Sequence, residues 1–127
     1  MPVLTTTRGL DIVFRADAII AVADRDPEGG ADVTCVYGLG PNFQKIAEPV
    51  DTFLTRIGKV ERFARFTRPN GSPIWFNVDT VDVAMTAQEG LFGAEVKAVI
   101  VAGPMTQSVK ETLDAVRANL AAHGAAI

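Results

Sequence analysis

The chain aligns with itself. A shift of 62 residues superposes Thr5 on Thr67, Gly9 on Gly71, Ile12 on Ile74, Phe14 on Phe76 and Asp17 on Asp79. A shift of 63 carries Gly30, Ala31, Val33 and Val36 onto Gly93, Ala94, Val96 and Val99. The same shift carries Gly40, Pro41, Gln44, Glu48 and Asp51 onto Gly103, Pro104, Gln107, Glu111 and Asp114. Fourteen identities in order, with one single-residue gap, read as an internal duplication. The gap falls where a loop would absorb it. Residues 1–58 form the first repeat, 59–63 a link and 64–127 the second repeat. Whatever one repeat folds into, the chain is expected to fold into twice.

Each repeat reads β-β-β-β-α. Strand one covers Val3–Thr7 and Ala64–Arg68, and strand two Asp11–Arg15 and Pro73–Asn77. Between them in the second repeat, Asn70-Gly71 predicts a tight hairpin that uses positive φ. Strand three is expected over Ala18–Ala23 and Thr80–Met85, and strand four over Asp32–Tyr37 and Glu95–Val101, rich in Val and Ile. Glycine and proline break the segments Asp24–Gly30 and Thr86–Gly93. A short extended piece follows at Phe43–Ile46 and Thr106–Val109.

A helix closes each repeat. Ile46, Val50, Phe53, Leu54 and Ile57 lie on one helical stripe, matched by Val109, Leu113, Val116 and Leu120. Pro49 suits the first turn, and Gly58 and Gly124 the stops. One repeat alone buries too little surface to stand easily. The expected fold is therefore α+β, with two tandem repeats forming one pseudo-twofold, antiparallel β-rich domain with two helices. The strand edges left over favour a homo-oligomer.

Composition narrows the function classes. Apolar residues make up 48% and charged residues 21%, the balance of a globular protein. A net charge of −3 gives no footprint for nucleic acid or anionic lipid. One aromatic-basic cluster, Lys59–Arg68, resembles a single-strand-binding pattern, but period-2 alternation explains it by turning Phe66 inward and arginines outward. With Cys35 and His123 the only residues of their types, the chain lacks the makings of a Cys/His metal site or a His-based triad. No cofactor is indicated. Met1–Arg8 lacks the basic and apolar regions of a signal peptide, and no apolar run spans a membrane. A cytoplasmic location is the expectation, in keeping with a lone cysteine.

Recurring polar residues are the site candidates. Asp17 and Asp79 could form a carboxylate dyad across the pseudo-twofold; a turn or Asx cap accounts for them more simply. Glu48, Glu111, Asp51 and Asp114 suit the positive ends of the two helices. Gln44 and Gln107 flank the Gly-Pro turns, where they would hydrogen-bond a ligand or partner, or else a loop carbonyl. Arg15 stands where the second repeat has Asn77. Trp75, on the strand face opposite Phe76, is either an interface anchor or a side chain packed under its own helix.

The second repeat also resembles a known family. Phe66–Val81 reads as strand, Asn-Gly turn, strand, Asn-x-Asp and apolar strand, and Val109-Lys110-Glu111-Thr112 supplies a Val-x-Glu-Thr entry to a helix. This order is similar to the FlbD/SwrD-like small flagellar-operon proteins over residues 65–120. The duplication and the loop Ala87–Gly93 depart from that pattern. The resemblance implies a small β-rich module without known catalysis, of a kind also carried by phage and prophage.

The functional expectation is a non-enzymatic interaction or structural module that acts through self-assembly or a protein partner. Its contact residues would be Trp75, Asn77, Arg15, Gln44 and Gln107. The alternative is a small-ligand-binding protein with its site at the seam between repeats.

Overall fold

Alternating apolar residues and glycine-bearing turns give the chain short strands, which pair into antiparallel sheets. The computed structural model describes residues 3–24, 33–39, 43–58, 60–87 and 96–125. Most of the two glycine-rich loops, and the residues Gly40 and Pro41, lie outside the described residues.

The first half runs β1 (Val3–Thr5), β2 (Asp11–Val13), a 3₁₀ turn (Ala16–Ala18), β3 (Ala21–Asp24), β4 (Thr34–Tyr37), β5 (Gln44–Ile46) and α1 (Val50–Ile57). After a second 3₁₀ turn (Val60–Arg62), the same order returns. It runs β6 (Phe63–Thr67), β7 (Pro73–Asn77), a 3₁₀ turn (Val78–Thr80), β8 (Val83–Thr86), β9 (Ala98–Ala102), β10 (Met105–Val109) and α2 (Leu113–Ala122). The fold is α+β, with two helices and several antiparallel sheets among the described residues.

The details differ from the sequence reading in four places. The residues expected to begin strand three form 3₁₀ turns instead; Ile19 N bonds Ala16 O, and Val81 N bonds Val78 O. The extended pieces are full strands, β5 and β10, so Ile46 and Val109 end strands and do not extend the helical stripes. Pro49 caps α1 from outside with extended backbone (φ −63°, ψ 154°). The β6–β7 loop has three residues, because Arg68 N bonds Ser72 O and Gly71 N bonds Arg68 O, both at 2.8 Å. Only Gly71 takes positive φ (88°); Asn70 instead accepts a hydrogen bond from Ser72 N at 3.0 Å. The β1–β2 loop is built alike, with Thr6 N on Leu10 O at 2.8 Å and Gly9 at φ 81°. Both are the three-residue type that ends on a left-handed glycine.

Strand pairing also refines the self-alignment. Val36 pairs with Gln44, and Ile100 pairs with Gln107. Relative to the two glutamines, Val36 thus answers to Ile100 and not to Val99. Within the apolar run 98–102 identity cannot fix a register, whereas a one-residue slip would turn every side chain to the other face.

Five strands form the central sheet, in the order β5-β4-β3-β7-β6. Its joint is the β3–β7 pairing, Ala21 with Phe76, Val22 with Trp75 and Ala23 with Ile74. Alternation sends these residues to opposite faces. Ala21, Ala23, Ile74 and Phe76 join one core with Phe66, Ile100, Val109, Val116 and Leu120. Val22 joins the other, with Leu4, Phe14, Ile19, Val36, Phe53 and Leu54, and Trp75 packs against it. Each helix roofs the core of its own half through its apolar face: Val50, Phe53 and Leu54 in α1, Val116 and Leu120 in α2. Thr112 caps α2 by accepting from Ala115 N at 3.2 Å.

Two smaller sheets continue the order. At one end the β1–β2 hairpin follows β5 through the Thr6–Ile46 bridge and a Thr7 N to Lys45 O bond of 2.8 Å. At the other, Lys110 N bonds Thr67 O at 2.9 Å, bringing the β10-β9-β8 sheet alongside β6. The strand path therefore runs β2-β1-β5-β4-β3-β7-β6-β10-β9-β8. Its terminal strands, β2 and β8, each have a strand neighbour on one side only among the described residues.

Candidate functional site: two open strand edges

Both terminal strands show apolar side chains to solvent. Val13 of β2 is 63% exposed, and Val83 and Met85 of β8 are 45% and 44% exposed. Their counterparts at the internal joint are Trp75, Ala21 and Ala23, which are half-buried or buried. Unpaired backbone donors and acceptors beside exposed apolar side chains are the chemistry of a strand-addition surface.

The residues singled out from sequence fall into separate places. Trp75 spans the joint: it faces Val22 and lies under the Arg65 guanidinium, 5.9 Å from carbon to ring centroid. It packs against the core of the other half, an environment neither sequence reading named. Asn77 is only 3% exposed. Its amide donates to Ile19 O at 3.0 Å and accepts from Asp79 N at 3.1 Å, so it fastens β7 to the chain before β3. Arg15 is exposed, just beyond β2. Gln44 donates to Leu39 O at 3.2 Å, and Gln107 to Ser108 O at 2.8 Å. The glutamines stand on different sheets and satisfy carbonyls near themselves.

The acids are engaged structurally. Asp79 forms an ion pair with Arg62, which raises the arginine's pKa through their hydrogen bond. Glu48 precedes α1 and pairs with Arg56 at 2.7 Å; that arginine also donates to Val3 O at 3.1 Å. Glu111 precedes the α2 cap and accepts from Thr67 N and Oγ1, both at 2.9 Å. Asp51 and Asp114 do lie in the first helical turns. His123 caps α2, with Nδ1 bonded to Asn119 O at 2.9 Å.

One open cleft of about 570 Å³ lies beside the β1–β2 loop, lined among others by Arg8, Leu10, Phe43, Gln44 and Lys45. Lys45 Nζ stands 5.6 Å from the Phe43 ring centroid, and Tyr37 packs on that ring. Gln107 does not line this cleft.

Sequence reasoning missed the edge residues Val13, Val83 and Met85. The signal was present: each half of the chain keeps an apolar strand that needs a neighbour, yet the internal joint uses one edge from each half. No helix among the described residues is long and apolar enough to cross a membrane. Family models, curated proteins and solved structures offer no match to this chain.

Proposed function

We propose that the chain is a non-enzymatic interaction or structural module that acts by self-assembly. The observation that carries this reading is the pair of edges, β2 and β8, open among the described residues, with Val13, Val83 and Met85 exposed on them. Water-exposed apolar residues on an unpaired edge are normally suppressed by charge or cover. Here they are kept at both ends of one strand path. Also in keeping with the reading, the sole histidine serves as a helix cap and the sole cysteine, Cys35, is buried.

The fold is read as two tandem repeats of an FlbD/SwrD-like unit. Supporting this are the recurring element order, the two like hairpin loops, and 3₁₀ turns that stand 62 residues apart. Light scattering of the full chain across a concentration range tests the function. A mass that is a multiple of 13.5 kDa is expected, and 13.5 kDa at every concentration would refute the reading.

A second reading, a small-ligand-binding protein, is favoured by the cleft, whose described lining lies within the first half of the chain and not at the expected seam between repeats. Arg8 and Lys45 face it, with no carboxylate among its described lining residues, which suits an anionic ligand. Thermal-shift screening against small carboxylates and phosphates tests it; stabilisation that Lys45→Ala abolishes would support it.

A further inference from the structure

The internal joint is a template for what the open edges accept. β8 stands to β3, and β2 to β7, at a constant separation of 62 residues, and so do the turns beside them. Ile12 and Phe14 repeat Ile74 and Phe76, side chains that β7 places beside β3. The contact between β3 and β7 thus has an unmade counterpart, β8 with β2, whose two halves sit at opposite ends of the strand path.

Resting on the self-assembly reading, we infer that β8 of one copy pairs antiparallel with β2 of a second copy of this chain, head to tail. The register is that of the internal joint: Val83 opposite Phe14, Ala84 opposite Val13 and Met85 opposite Ile12 of the second copy. Side-chain alternation then covers the exposed residues. Val83 and Met85 fall on the face of Ile12 and Phe14, which lead into the second copy's core around Phe53. Val13 falls on the face of Ala84, which packs on the first copy's core around Ile100. Charge agrees as well. At the internal joint Asn77 N donates to Ile20 O at 2.8 Å. In the counterpart the opposed residues are Arg15 and Asp82, both exposed, so a guanidinium meets a carboxylate of which one oxygen already accepts from Gly103 N at 2.9 Å. The helix does not obstruct: α2 packs against β8 as α1 packs against β3, and β3 keeps neighbours on both sides. Such a contact joins two different surfaces, so it builds closed rings or filaments.

Single-cysteine variants of the full chain test the pairing. Val13→Cys and Ala84→Cys are made with Cys35 left in place, wild type serving as the oxidation control. Co-expressed and oxidised, they should form a mixed disulfide at about a quarter of the contacts, the share that random head-to-tail mixing gives. Neither variant alone should exceed wild type, and the double variant should form covalent species of two or more chains. Cross-linking of either variant with itself would mean like edges pair, and would overturn the inference. A double variant linked only within one chain would do the same. Oligomers by light scattering without the mixed disulfide would overturn the register and leave the self-assembly reading standing. A monomer at all concentrations would end both.

Discussion

Val22 and Trp75 stand opposite each other where β3 meets β7, and through this pair the two halves of the chain share one sheet. Val22 is fully buried, and Trp75 reaches across the joint onto the core of the first half. Trp75→Ala should therefore cost stability, about 2 to 3 kcal/mol, from lost apolar contact and the space left behind. Urea denaturation measures it. An unchanged midpoint would show that Trp75 does not hold the joint.

Asn77 makes the joint specific as well as tight. Its buried amide ties the Ile19 carbonyl and the Asp79 amide. Asn77→Ala leaves both without that partner and should cost about 2 kcal/mol. The same denaturation experiment reads this out, and Asn77→Asp should not restore stability, since a carboxylate cannot donate to Ile19 O.

Gly38 tests backbone geometry. It sits at φ 106°, and an added Cβ would lie 2.6 Å from Ala18 O and 2.9 Å from Ile20 N. These are backbone atoms that cannot swing away. At Gly9, φ is 81° and a Cβ would meet nothing within 4 Å. Gly9→Ala should cost about 1 kcal/mol, for the left-handed backbone alone. Gly38→Ala should cost clearly more, or prevent folding. Equal melting temperatures for the two variants would contradict this packing.

Much of this was legible in the sequence. Pro73–Asn77 is a strand as the alternation predicts, and the helices bury the anticipated Val50, Phe53, Leu54, Val116 and Leu120, though Ile46 and Val109 belong to strands. The self-alignment placed the turns at Gly9 and Gly71 in matching positions. A turn was legible at Asp17 and Asp79, but its 3₁₀ form and its reach to Ala18 and Thr80 were not, because those two residues are compatible with a strand start. Nor was the partner of β3. Pairing between strands about fifty residues apart has no local signal, and Ala21 and Ala23 look like weak core residues until Ile74 and Phe76 are set beside them. For the same reason Trp75 and Asn77, chosen as contact residues, serve the joint within the chain, while the open edges carry plainer side chains.

Asp24 gives a pH prediction. Burial is the main cause that raises its pKa, with Arg68 pulling the other way and Asp51 adding to the rise. A carboxyl whose pKa is higher folded than unfolded holds protons more tightly in the folded state. Its contribution to stability is therefore full below the unfolded value, about 3.9, and is lost as pH rises through the folded value. Asp24→Asn should flatten this part of the stability profile and raise stability at pH 7. Melting temperatures of both proteins from pH 3 to 7, on the order of five points, check it; a variant that runs parallel to wild type would contradict it.

By this proposal, copies of the chain meet at their two open edges. Amide hydrogen exchange across protein concentration tests it most directly. On assembly, added protection is expected within Val83–Thr86 and Asp11–Val13, with β3 and β7 unchanged because their edges are already paired. Protection that stays constant at β2 and β8 while the particle mass rises would contradict it.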